Sequence, residues 1–118
     1  MALLMSNVAA AMDKTKISTR EKDLLQQYAR ETGSDYCAGC TDICEPALVD
    51  NIPIGDVMRC LMYARSYGDR HRARTHFKRI PLRTRQQMGG INYGPAERRC
   101  PQKMTIGKLM QEALEELG

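Results

Sequence analysis

The chain has 118 residues, with 18 Lys and Arg against 14 Asp and Glu, and is 42% hydrophobic and 27% charged. That length suits one small domain and excludes a two-domain enzyme with its own cofactor domain, while the composition is that of a folding chain rather than a disordered one. The longest apolar stretches, Met1 to Met5 and Val8 to Met12, fall far short of the ~20 residues of a membrane span. They also lack the basic flank of a signal peptide, and Ser6 and Asn7 interrupt them. The expectation is a cytosolic protein that does not cross a membrane, in which the five cysteines are thiols or metal ligands rather than disulfides.

Periodicity is helical nearly throughout. Ser18 and Glu21 form a capping box, and Leu24, Leu25, Tyr28 and Thr32 then share one face, which predicts a helix from Thr19 to Thr32 with Gly33 as its stop. Pro53 opens a second helix in which Ile54, Val57, Met58, Leu61 and Met62 fall on one stripe, ending at Gly68. Asp69 caps a third, with Ala73, Phe77 and Ile80 inward and Arg70, Arg72, Arg74, Lys78 and Arg79 outward, until Pro81 ends it. Thr105 begins a C-terminal helix with Ile106, Leu109, Met110, Ala113, Leu114 and Leu117 inward. Gly33 to Asn51 and Gly89 to Pro101 are predicted to be non-helical. The sum is an all-α domain of four to five short helices with two cysteine-bearing loops, and no close internal repeat stands out.

The two loops hold four of the five cysteines. Cys37, Cys40 and Cys44 read C-x2-C-x3-C, and Cys100 is followed by Pro101. Thiolates at this spacing in a tight loop turn to one site, a remote thiolate closes it, and Gly39 leaves the backbone free to fold round it. Bacterial ferredoxins divide their ligands in this way between a cysteine run and a distant Cys-Pro, here with one extra residue before the third cysteine. A second cluster is excluded by counting back from Cys100. Its ligands fall on Ala96, Tyr93 and Gly90, and the reciprocal position near Ala47 or Leu48 has no cysteine either.

The pattern Ile52-Pro53-Ile54-x-Asp56-Val57-Met58-Arg59, then Met62-Tyr63, Tyr67-Gly68-Asp69, Ala73 and Phe77, resembles the C-terminal iron-sulfur domain of one branch of the aldo/keto reductases. Gly94, Glu97, Cys100-Pro101-Gln102, Ile106 and Glu112-Ala113 match that family's second cluster motif apart from its first three cysteines. Residues 6–12 and 16–29 are similar to the closing helices of the reductase barrel and its exit segment. The resemblance implies a barrel-closing-like segment over 1–17 and a ferredoxin-like helical domain over 18–118. It also implies one 4Fe-4S cluster on Cys37, Cys40, Cys44 and Cys100, and a partner that is an aldo/keto reductase barrel or another redox protein. The family's catalytic residues lie in the barrel, and no catalytic residue is assigned here.

Other readings stay open. A four-cysteine zinc module uses the same ligands. Cys60 reads as a small buried filler, His71 and His76 as surface side chains, and the eight Met as core. Arg98 and Arg99 beside Cys100 are candidates to offset thiolate charge. The net charge of +4 is uneven, with seven Lys or Arg and no acid between Arg70 and Ala96, and three Glu from Glu112 to Gly118. That basic block makes a nucleic-acid module the third reading, with weak binding and no specific sequence. The apolar N-terminal segment is a candidate surface for pairing two copies.

Overall fold

A computed structural model describes residues 2–32 and 36–118. The chain divides into two compact units, Met1–Glu31 and Thr32–Gly118, so residues 18–31, grouped by sequence with the downstream domain, fall in the first unit. Among the described residues there are eight α-helices and no strand, which bears out the all-α class.

The first unit contains α1 (Ala2–Met12) and most of α2 (Thr19–Thr32), and neither helix has a buried residue. The capping box forms as predicted, with Ser18 N–H donating to Glu21 Oε2 at 2.8 Å and Glu21 N–H donating to Ser18 Oγ at 3.2 Å. The shared apolar face is not buried. Leu24, Leu25 and Tyr28 are 57%, 57% and 62% exposed, so local capping rather than burial defines this helix. Its predicted stop, Gly33, lies outside the described residues.

The second unit holds the core. It runs α3 (Thr41–Cys44), a 3-10 turn (Glu45–Ala47), α4 (Ile54–Arg65), α5 (Arg70–Arg79), α6 (Leu82–Met88), α7 (Gly94–Arg99) and α8 (Ile106–Leu117). The helix count exceeds the four to five expected because α3, α6 and α7 have four, seven and six residues, too few to show a period. α3 and α7 also lie inside segments predicted to be non-helical.

The expected stripes are buried. Val57 of α4, Ala73 and Phe77 of α5, and Met110 and Ala113 of α8 are at 0% exposure, and α4 packs against both α5 and α8. Gly68 takes the left-handed φ of 68°, which lets the Asp69 N–H return to the Tyr63 carbonyl at 2.9 Å. Asp69 then caps α5 by accepting the Arg72 N–H at 2.9 Å. α4 and α8 are also tied at the surface, where Arg65 donates to Glu112 at 2.7 Å and pairs with Glu116.

Candidate metal centre

Two helix starts in the second unit are built alike. Gly55 lies in the first turn of α4, and its N–H donates at 3.0 Å to the Glu45 carboxylate, ten residues earlier. Gly107 lies in the first turn of α8, and its N–H donates at 2.8 Å to the Glu97 carboxylate, also ten residues earlier. A carboxylate at a helix N-terminus satisfies an orphan donor and meets the positive end of the helix dipole. A Cβ at Gly55 would press on the Thr41 side-chain methyl and force it to move, whereas at Gly107 a Cβ would sit 3.6 Å from Tyr93, in ordinary contact. Thr41 precedes Glu45 by the same interval as Tyr93 precedes Glu97.

This correspondence corrects the expectation of no close repeat. The segment Ile54-Gly55-Asp56-Val57-Met58 recurs as Ile106-Gly107-Lys108-Leu109-Met110, each preceded by its short helix and capping glutamate. The shared I-G-x-[VL]-M was the signal available in the sequence. Where the first copy has Cys37, Cys40 and Cys44, the second has Gly89, Asn92 and Ala96. In the second copy Tyr93 is buried, and its hydroxyl donates to the Met88 carbonyl at 2.9 Å. Removal from water pushes the Tyr93 phenol up to about 12, with the Asp50 charge adding to the effect.

Cys37, Cys40 and Cys44 of the first copy and Cys100 of the second line a single small cavity of about 10 Å³. Its remaining wall is mostly apolar, including Ile54, Met58, Met104 and Ile106. Cys37 is exposed, Cys40 half-buried, and Cys44 and Cys100 buried. Gly39 has a φ of 75°, a conformation that L side chains rarely adopt, and its N–H points to the Cys37 sulfur at 3.4 Å. On the far side, the Cys100 N–H donates to the Glu97 carbonyl and the Lys103 N–H to the Cys100 carbonyl, both at 3.1 Å. Lys103 itself sits at φ 55°, in the left-handed region. Glu97 therefore orders both the start of α8 and the backbone that presents Cys100.

All five cysteines are free thiols. The Cys44 thiol lies within weak hydrogen-bond reach of the Cys40 and Thr41 carbonyls, at 3.9 and 4.0 Å, within its own helical turn. Burial raises its pKa, and the charges of Glu45, Cys37 and Cys40 push in the same direction. Among the described residues, no three His, Cys, Asp or Glu side chains are gathered closely enough to hold a single metal ion. The donor set is nonetheless that of a soft metal group, since four cysteines from two separate segments line one space with no competing carboxylate on its wall. Binding there exchanges S–H protons for metal and ties the two loops together.

Cys60 stands apart, 3% exposed, on the wall of a different cavity with Tyr63 and His76. Burial raises its pKa and Asp56 adds to the shift, against the opposing charge of Arg59. His71 is exposed, while His76 is half-buried against Tyr63 at a ring separation of 5.6 Å. Arg98 and Arg99 are exposed, and neither lines the four-cysteine cavity.

No known family, curated protein or solved structure matches the chain. Among the described residues no helix is long and apolar enough to cross a membrane.

Proposed function

We propose that the second unit is an iron-sulfur module in which Cys37, Cys40, Cys44 and Cys100 hold one 4Fe-4S cluster. The observation that supports this most is that these four cysteines, from loops more than fifty residues apart in sequence, line one cavity. Such a cluster, when bound, supplies single-electron transfer. The chain's own contribution is to shield and orient. Ile54, Met58, Met104 and Ile106 keep one side of the site apolar, and the Gly39 N–H is aimed at the Cys37 sulfur, a contact that favours the reduced state by easing charge on the ligand. The module also staples the loop before α4 to the loop before α8, which adds stability that a core of this size does not readily supply.

The resemblance to the aldo/keto reductase tail domain supports a redox partner, either a reductase barrel or another electron-transfer protein. Five free cysteines fit a reducing compartment such as the cytosol. The exposed apolar residues of α1, among them Leu3 and Met5, are the surface through which two copies would pair.

The test is a cysteine series in protein prepared without oxygen and supplied with iron and sulfide. Alanine at Cys37, Cys40, Cys44 or Cys100 should abolish or convert the visible sulfur-to-iron absorption, and Cys60→Ala should keep it. A parental spectrum in Cys44→Ala, or its loss in Cys60→Ala, would overturn the assignment.

A further inference from the structure

The outer face of α5 carries more positive charge than the fold pairs. Between Arg70 and Arg85 there are seven Lys or Arg and no acid, and among the described residues none of the seven is in an ion pair. Two of them are held against rings of the domain. Arg72 lies over the Tyr63 ring at 4.4 Å, and Arg85 over Phe77 at 5.9 Å while donating to the Ile80 carbonyl. Arg74, Lys78 and Arg79 are exposed, opposite the buried Ala73 and Phe77.

Helix stability does not explain the arrangement. Arg70 with Arg74, and Arg74 with Lys78, are like charges four residues apart, each pairing unfavourable in an isolated helix. Arg70 also occupies the first helical position, the positive end of the dipole. Within the domain, Asp69 caps the N-terminus of α5 and the Glu116 charge acts on Arg70, whereas Lys78 and Arg79 have no anionic partner among the described residues.

We propose that this face docks a protein that presents a cluster of Asp and Glu. A nucleic-acid strand fits it less well. A ten-residue helix is only about 15 Å long, short for a run of phosphate contacts. Phe77, the only Phe, Tyr or Trp of α5, is fully buried and offers no base a stacking surface, and His76 is half-buried against Tyr63, which leaves His71 as the one exposed ring on this helix. The face is bordered by acid as well, since Arg74 reaches the Glu116 carbonyl at 3.4 Å, bringing the Glu112–Glu116 end of α8 alongside. A border of that sign repels a continuing phosphate backbone but gives a protein surface its register. The surface is independent of whether the four cysteines hold a metal.

The test measures binding of the full chain to two labelled probes, poly-L-glutamate and a 20-base-pair DNA duplex, by anisotropy at low and at physiological salt. The triple variant Arg74→Gln, Lys78→Gln, Arg79→Gln is compared with an equal charge removal elsewhere, Lys14→Gln, Lys16→Gln, Lys22→Gln, and circular dichroism confirms that both keep their helices. The α5 variant should weaken poly-L-glutamate binding by about tenfold at low salt, and the control by less than about twofold. Equal losses in the two variants would reduce the effect to net charge and overturn the proposal. Tighter binding of the duplex than of poly-L-glutamate at physiological salt would overturn it in favour of nucleic acid.

Discussion

Glu97 is the side chain on which the second half of the module turns. Its carboxylate accepts the Gly107 N–H at 2.8 Å and its main-chain carbonyl accepts the Cys100 N–H at 3.1 Å, so one residue sets both the helix start and the ligand loop. Glu97→Ala removes a charge-assisted hydrogen bond worth about 1.5–3 kcal/mol, and with it an anion at a helix N-terminus worth about 0.3–1 kcal/mol. The two contributions overlap, since the same charge makes both, and the net expected loss is about 2–3 kcal/mol. Glu97→Gln keeps an acceptor oxygen and should lose about 1 kcal/mol. In urea, at a slope of about 1–2 kcal/mol per molar, the alanine midpoint should fall by about 1–3 M with no change in slope. Circular dichroism of the metal-free chain is the assay, so metal affinity does not enter. Unfolding free energies for both variants within about 0.5 kcal/mol of the parent would mean that the bond to Gly107 does not hold α8, and would refute the argument.

Two pH effects follow from the same structure. Tyr93 is raised from 10.0 to about 12, so the stability that its neutral form contributes is complete below pH 10 and is lost as pH rises through about 12; Tyr93→Phe should remove that alkaline component, followed by melting temperature against pH. Glu116 is lowered below its ordinary 4.5, first by its hydrogen bond from Arg65, so its contribution is present above pH 4.5 and is lost as pH falls through the depressed value. Glu116→Gln should flatten the acid limb of the urea midpoint against pH, and an unchanged acid limb would show that the Arg65 pairing adds nothing.

What was legible in the sequence was whatever local chemistry marks. The Ser18–Glu21 box and Asp69 each announced a helix start, and the spacing of Ala73, Phe77 and Ile80 announced a buried stripe. The all-α class followed from such signals. α3 and α7 were not legible because four and six residues do not complete two turns. Leu24, Leu25 and Tyr28 misled because spacing shows which residues share a face, not whether anything covers it. The bonds from Gly55 to Glu45 and from Gly107 to Glu97 were hidden for another reason, since a capping carboxylate ten residues upstream belongs to no local motif. The repeat that these bonds expose was masked because Gly89, Asn92 and Ala96 stand in its second copy where the first has Cys37, Cys40 and Cys44. For the candidate site, the C-x2-C-x3-C spacing and the Cys100-Pro101 pair already grouped four cysteines and set Cys60 apart, and the fold lines one cavity with the four and a different one with Cys60.

The most direct measurement is the iron, acid-labile sulfide and zinc content of the chain purified without oxygen from cells supplied with both metals. One 4Fe-4S cluster on the four loop cysteines requires four irons and four sulfides per chain, with a visible spectrum that bleaches on reduction. Stoichiometric zinc without iron would contradict the account and leave the four cysteines as a structural zinc site.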